Sequence, residues 1–184
     1  MTAHDNELSD SAVVRAVSDG RKEMYAVLVQ RYQDILYRHA LRMVAEPDEA
    51  ADIVQASFIR GFERLESCRD PERVGAWLFR INANQCRDYL KDLRRKNVRL
   101  DERTALTGDA ENPEGVAQRG ELMNRIKAAI DRLPTDEREA FVLKHIEGLA
   151  YKEMAALLGT SIPALKMRVH RARESLQGLL EEYR

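Results

Sequence analysis

Between Leu149 and Leu176 the chain reads LAYKEMAALLGTSIPALKMRVHRARESL, and this stretch restricts the fold more tightly than any other. Apolar residues recur at helical spacing on both sides of Gly159, which predicts a short helix, a turn and a longer helix. Met154, Ala155, Leu158, Leu165 and Val169 are expected to point inward, with Ala155 small where the two helices cross. Gly159 suits a left-handed turn position. Ser161 can cap the second helix, and Pro163 falls in its first turn, where proline is tolerated. On a helical wheel Ile162, Leu165, Val169, Ala172 and Leu176 share one face. Ala164, Met167 and Arg171 centre the opposite face, flanked by Lys166, Arg168 and His170, and no acid occurs from Ser161 to Arg173. A one-sided basic helix backed by an apolar face is the shape that docks into a major groove. A solvated basic helix in an ordinary bundle is the alternative reading of the same residues.

The rest of the chain is also written in helical period. Tyr25, Leu28, Val29, Tyr32, Ile35, Leu36, Ala40, Met43 and Val44 form one stripe. Pro47 can open the next helix, because a first-turn proline forfeits no needed N–H, and Ala50, Ile53, Val54, Phe58, Phe62 and Leu65 follow. After the loop Glu66–Arg73 a third long helix is expected from Val74 to about Lys96, anchored by Trp77, Leu78, Ile81, Tyr89 and Leu93. A shorter helix is expected near Ser11–Val17. Later, Leu122, Ile126, Ala129, Ile130 and Leu133 form another stripe, and Thr135 is placed to cap the helix that continues through Ile146. No segment has strand period, so the expected class is all-α: two small helical domains over 1–97 and 119–184, joined by a flexible acidic linker over 98–118.

Charge is segregated along this chain. The net charge is −1 and the pI about 6.5, weak electrostatics for a protein that must find DNA unaided. Yet Trp77 to Arg99 holds seven Lys/Arg against two Asp/Glu, a balance of +5, while Asp101 to Glu121 stands at −4 with six acids and two bases. The basic helix carries Arg80, Arg87, Lys91, Arg94, Arg95, Lys96 and Arg99 together with Trp77, Phe79, Asn82, Asn84 and Gln85. Aromatics and amides among arginines suit single-stranded nucleic acid, through stacking, edge hydrogen bonds and phosphate neutralisation. Cations near a helix C-terminus also suit its dipole without any partner, and Trp77 reads as a core residue rather than a base-stacking one, since its neighbours are apolar at helical spacing. Cys68 and Cys86 lie far apart with no CxxC, as expected of a reduced, cytoplasmic protein. The polar start MTAHDNELSD is unlike a signal peptide, and no apolar run reaches membrane-spanning length. The four histidines, His4, His39, His145 and His170, form no ligand cluster. No Walker lysine loop, GxGxxG or HExxH occurs, so neither metal, cofactor nor catalysis is expected.

Taken together, these segments resemble the extracytoplasmic-function (ECF) group of bacterial RNA polymerase sigma factors, within the sigma-70 family, from about Tyr25 to Leu180. PDEAADIVQASFIRGFERL resembles the helix of sigma region 2 that docks on the polymerase clamp. WLFRINANQCRDYLKDLRR resembles the helix that opens and reads the minus-ten element. LPTDEREAFVLKHIEGLAYKEMAALLGTSIPALKMRVHRARESL resembles region 4, which reads the minus-thirty-five element. The lack of a region 1.1 or a structured region 3 is what marks the ECF group.

The resemblance implies partners and residue roles. Core RNA polymerase (its clamp and flap regions), promoter DNA and an anti-sigma factor are the expected partners. Asp48, Glu49, Asp52, Ile53 and Gln55 fall at the clamp-binding positions, although Asp48 and Glu49 would stabilise a helix N-terminus in any case. Cys68, Arg69, Phe79, Asn84, Arg87, Asp88, Lys91, Arg94 and Arg95 fall at the minus-ten positions, where an extruded base needs a stacking wall and an amide for its edge. Ser161, Ala164, Lys166, Met167, Arg168, His170 and Arg171 fall at the minus-thirty-five positions. Arg171 can pair bidentately with guanine, and Met167 offers only apolar contact, for instance to a thymine methyl. Arg168 suits a phosphate contact or the fold itself. Cys68 and Val74 stand where the family usually has aromatics, and Ala164 and Met167 where it commonly has Thr and Ser. The acidic linker would run near the template-strand channel and the RNA exit path. A stand-alone helix-turn-helix regulator, and an adaptor that only sequesters an anti-sigma factor, are the competing readings.

Overall fold

The computed structural model of the chain describes residues 8–101 and 128–181. Every regular element among them is helical. The first four helices are α1 (Asp10–Ser18), α2 (Tyr25–Val44), α3 (Pro47–Glu63) and α4 (Val74–Asp101). After a helical piece over 128–132 come α5 (Thr135–Phe141), α6 (Tyr151–Leu158) and α7 (Ile162–Glu181). The chain divides into two compact units, one made chiefly of residues up to Asp88 and the other of residues from Tyr89 onward, with Ala155–Thr160 grouped with the first.

Local chemistry sets the helix ends of the first unit. The Ser9 hydroxyl accepts the Ala12 N–H at 3.2 Å and starts α1. At the end of α2 the chain turns left-handed at Ala45 (φ 64°), whose N–H returns to the Leu41 carbonyl. Pro47 then opens α3, with Asp48 and Glu49 in its first turn, where acids favour the helix dipole. Helix α4 runs five residues beyond the expected Lys96, so residues 98–101 of the expected linker are helical backbone. The remainder of that linker, the Leu122 and Ile126 stripe, His4, and the side chains of Arg94, Lys96 and Arg99 lie outside the described residues.

Leu28, Leu36, Met43, Val74 and Leu78 fill the centre of this unit. The Tyr25 hydroxyl donates to the Phe58 carbonyl at 2.9 Å. A Cβ on Gly61 would lie 2.6 Å from Leu78 Cδ2 and 2.7 Å from the Tyr25 hydroxyl, so these side chains close over the bare glycine and a larger residue would displace them. Three stripe residues that period alone would bury are partly outside: Ile35, Phe62 and Leu93.

A polar knot sits inside this apolar core. Asn82 has no solvent exposure. Its Nδ2 donates to the Leu36 carbonyl at 3.3 Å and to His39 Nδ1 at 3.2 Å, while the single Ser57 hydroxyl proton is shared between the Ile53 carbonyl at 2.7 Å and Asn82 Oδ1 at 3.3 Å. Asn82 therefore serves α2, α3 and α4 at once, and its place among the amides of a nucleic-acid face is corrected to the core. Accepting at Nδ1 keeps the His39 imidazole neutral. Burial, then the charges of Arg87 and Arg42, push its pKa down to about 3.

In the second unit Ala129, Leu133, Ala172 and Leu176 form a core patch covered by Ile130, Phe141 and Leu179. Leu143, Met154, Leu165 and Val169 are buried as well. Pro134, not Thr135, occupies the cap position of α5, with no side-chain cap bond. Buried Arg138 instead ties α5 to the end of the preceding helical piece: its guanidinium donates to the Ile130 carbonyl at 3.1 Å and to the Asp131 carbonyl, and its Nη1 lies 3.2 Å from the Asp131 carboxylate. A π-turn over Val142–Ile146 follows, and Gly148 (φ 71°) releases the chain toward α6. Gly159 is left-handed (φ 64°), and the Ser161 hydroxyl accepts the Ala164 N–H at 3.3 Å.

The His39 site makes the first unit acid-sensitive. Its folded pKa lies below the unfolded value of 6.5, so the unfolded chain binds more protons between pH 6.5 and about 3. Stability from this site is complete above pH 6.5 and declines as pH falls, by up to about 1.4 kcal/mol per pH unit. Trp77, the only tryptophan, reports unfolding of this unit. Its urea midpoint is expected to fall from pH 7 to pH 5, and His39→Gln is expected to remove most of that slope. A flat wild-type profile would contradict the buried neutral imidazole.

Candidate polymerase and nucleic-acid interfaces

Helix α3 has two faces. Ile53 is buried on the inner one, while Asp48, Asp52 and Gln55 are exposed and Glu49 is half-buried on the outer one. The structure therefore offers Asp48, Glu49, Asp52 and Gln55 to a partner and keeps Ile53 in the core. Beside them an apolar groove of about 820 Å³ runs between α2 and α3, lined by Val29, Gln33, Tyr37, Gln55, Ile59 and Phe62. Ile59 is 55% exposed and Phe62 37%. Contiguous exposed apolar surface of this kind marks an interaction site. The sequence reading missed Ile59. The available signal was an isoleucine off the buried stripe, one residue past the buried Phe58 and next to the exposed Arg60.

A second feature lies where the loop Leu65–Arg73 meets α4. A recess of this unit is lined by Cys68, Arg69, Asp70, Arg73, Trp77, Arg80 and Asn84. Two short 3₁₀ turns, Leu65–Ser67 and Pro71–Arg73, stiffen the loop. The buried Cys68 thiol donates to the Asp70 carbonyl at 3.5 Å, and burial raises its pKa, so it stays protonated and unreactive. Arg73 lies 3.5 Å from the Asp70 carboxylate. Arg87 donates to Asn84 Oδ1. Because a guanidinium can only donate, that contact fixes the amide orientation and leaves Nδ2 as the group Asn84 presents.

The aromatic wall of the recess is Trp77 and not Phe79. Phe79 is 3% exposed on the other side of α4, its ring centroid 4.5 Å from that of His39. Trp77 is half-buried and lines the recess. Residues 77 and 79 lie about 200° apart on a helix, so only one can face the loop. Arg80, Asn84, Arg87, Lys91 and Arg95 recur at three- or four-residue steps along α4 and extend the recess into a basic stripe. Asp88 lies at its border, and Arg95 pairs with Asp92 at 3.6 Å.

A third surface is the outer face of α7. Lys166, Met167, His170 and Arg171 are exposed, Met167 to 50%. Ser161 is exposed at the helix start and Ala164 is half-buried. Arg168 Nη2 lies 2.8 Å from the Asp136 carboxylate and ties α7 to α5. His170 Nε2 is 3.4 Å from Glu174. Lys144 and Lys166 both stand over the Tyr151 ring, 5.0 and 6.0 Å from its centroid. This cation–π arrangement joins the two helices of the helix-turn-helix and was not foreseen from sequence. Among the described residues no group of three or more His, Cys, Asp and Glu is placed to hold a metal, and no helix is long and apolar enough to cross a membrane.

The arrangement has close relatives. Residues 28–96 match the family model "Sigma-70 region 2" and residues 123–176 match "Sigma-70, region 4". The chain is 31% identical over 187 residues to an ECF RNA polymerase sigma-E factor of Haemophilus influenzae, covering 95% of this chain and 97% of that one. It is 29% identical to the ECF RNA polymerase sigma-E factor of Escherichia coli K12, covering 95% and 96%. Among solved structures it resembles CnrH in complex with the cytosolic domain of CnrY, with 30% identity, a TM-score of 0.63 and coverage of 95% and 99%. It also resembles the sigma factor RpoE in complex with the anti-sigma factor NepR from Bartonella quintana, with 28% identity, a TM-score of 0.56 and coverage of 90% and 99%. The chain is thus an ECF-group member of the sigma-70 family of RNA polymerase sigma factors.

Proposed function

We propose that the three surfaces divide the work of promoter selection. The α2–α3 groove with Asp48, Glu49, Asp52 and Gln55 docks on the polymerase clamp. The recess and the α4 stripe take the melted minus-ten strand, and α7 reads the minus-thirty-five duplex. The observation that carries this reading is the joining of recess and stripe on α4. A pocket with one aromatic wall and one oriented amide donor opens onto a line of cations that recur every three or four residues along the same helix. Asn84 Nδ2 would donate to an acceptor on the edge of an extruded base, and Trp77 would give that base a stacking face. The phosphates follow Arg87, Lys91 and Arg95.

In this reading the chain is a regulatory subunit with no catalysis or cofactor of its own, acting in the cytoplasm where polymerase and promoters are. Its near-neutral charge then fits, because core polymerase supplies most of the phosphate contacts and non-specific affinity. Control by an anti-sigma factor is supported by the likeness to RpoE, solved with the anti-sigma factor NepR. Such a partner would compete with the clamp for the same exposed apolar groove.

Run-off transcription with core polymerase on a promoter pool, beside a gel shift of the chain alone, tests the function. Polymerase-dependent, promoter-specific transcripts with little shift by the free chain are expected. A strong duplex shift without polymerase would instead favour a stand-alone regulator. Two variant sets test the surfaces. Ile59→Glu puts a charge into the groove and is expected to weaken core binding at least about tenfold, read by fluorescence titration, with the Trp77 unfolding midpoint retained. Arg171→Ala is expected to lose about 1–3 kcal/mol of discrimination at one base pair of the upstream element. Lys166→Ala is expected to weaken all promoters alike and reduce the salt slope.

A further inference from the structure

Helix α1 has no assigned part in promoter recognition, yet its contacts converge on the loop that forms the recess. The Ser11 hydroxyl is almost fully buried and donates to Glu72 Oε1 at 2.5 Å, across 61 residues of sequence. Its one proton is committed there, so the Ser9 hydroxyl, 3.1 Å away, donates to Ser11 while accepting the Ala12 N–H. Glu72 is the middle residue of the Pro71–Arg73 turn, and the Arg73 N–H closes that turn on the Asp70 carbonyl at 2.9 Å. Holding Glu72 therefore holds Asp70 and Arg73, which both line the recess.

The neighbouring residue Asp10 fixes α1 itself. Its carboxylate lies 2.8 Å from Arg31 Nη1 and accepts the Tyr32 hydroxyl, while Arg31 Nη2 donates to the Leu8 carbonyl at 2.6 Å. The Tyr32 ring in turn lies against Gly75, where a Cβ would come within 2.4 Å of Tyr32 Cε1. Two neighbouring residues of α1 thus bracket the end of the loop. Ser11 holds its last turn, and Asp10, through Tyr32, holds the first turn of α4.

We infer that α1 is a positioning element for minus-ten recognition: the Ser11–Glu72 hydrogen bond, on a helix anchored by Asp10, sets where the loop presents its recess residues. Ser11 and Glu72 act through Asp70 and Arg73 and touch no DNA themselves. The inference rests on reading the recess as a base pocket, so its test must separate the two.

The measurement is open-complex formation by the full chain with core polymerase. It compares a promoter mapped by run-off transcription with copies carrying single substitutions in the minus-ten element. The readout is the ratio of intact to substituted promoter, with core affinity measured in parallel. Ser11→Ala and Glu72→Ala are each expected to lower that ratio about fivefold at unchanged core affinity, with no further loss in the double variant. Glu72→Gln is expected to keep the wild-type ratio, because its amide oxygen still accepts the Ser11 proton. If Asn84→Ala lowers the ratio while Ser11→Ala and Glu72→Ala do not, the inference is overturned and the base-pocket reading stands. If Asn84→Ala has no effect, the base-pocket reading fails and the inference with it. A loss of core affinity in proportion to the loss of discrimination in Glu72→Ala would show a merely structural contact and overturn the inference.

Discussion

One buried amide holds the first unit together. Asn82 Nδ2 reaches α2 at Leu36 and His39, and its Oδ1 shares the Ser57 hydroxyl proton of α3 with the Ile53 carbonyl. An apolar residue at this place could pack against the same helices in more than one rotation. A fully enclosed amide with matched donors and acceptors tolerates few arrangements, because an unmade hydrogen bond there costs about 1–3 kcal/mol. The outward faces of α2, α3 and α4 are thereby set: the groove on the α2–α3 side, the recess and basic stripe on α4. His39 is part of the same constraint, since only its neutral form supplies the Nδ1 acceptor.

The electrostatics follow a division of labour. The chain as a whole is nearly neutral, but cations outnumber acids on α4 and along the first three turns of α7. Local fields of this kind select and orient a strand, while the long-range attraction that raises non-specific affinity stays small. A subunit that must let go of DNA when it leaves polymerase is served by that balance. The ion pairs that do form on these surfaces, Arg95–Asp92 and His170–Glu174, are exposed helical neighbours and contribute little to stability. Arg168–Asp136 differs in joining two elements of the second unit.

The sequence displays the helix-turn-helix well because its determinants are local. Gly159 needs a left-handed turn, Ser161 needs an open N–H two or three residues on, and both needs are met within a few residues. The first unit is less legible because long-range contacts decide which apolar residue faces in. Ile53 and Ile59 are chemically alike, and only the position of α2 sends one inward and leaves the other 55% exposed. For the same reason Trp77 lines the recess while Phe79 is buried, the reverse of their expected places. Asn82 did leave a trace: Leu78, Asn82 and Cys86 recur every four residues, and all three are buried. An amide within such a stripe is a core amide even when arginines surround it in sequence. The contacts of α1 left no trace at all, because Ser11 and Glu72 meet only in the folded chain.

The central claim is that an extruded promoter base enters the recess under Asn84 and Trp77. The most direct measurement is the fluorescence of 2-aminopurine placed at each non-template position of the minus-ten element during open-complex formation with core polymerase. One position is expected to unstack and then be quenched against Trp77 with the wild-type chain, and to stay bright with Asn84→Ala. Open complexes in which no position behaves this way, or in which the signal is indifferent to Asn84, would contradict the account.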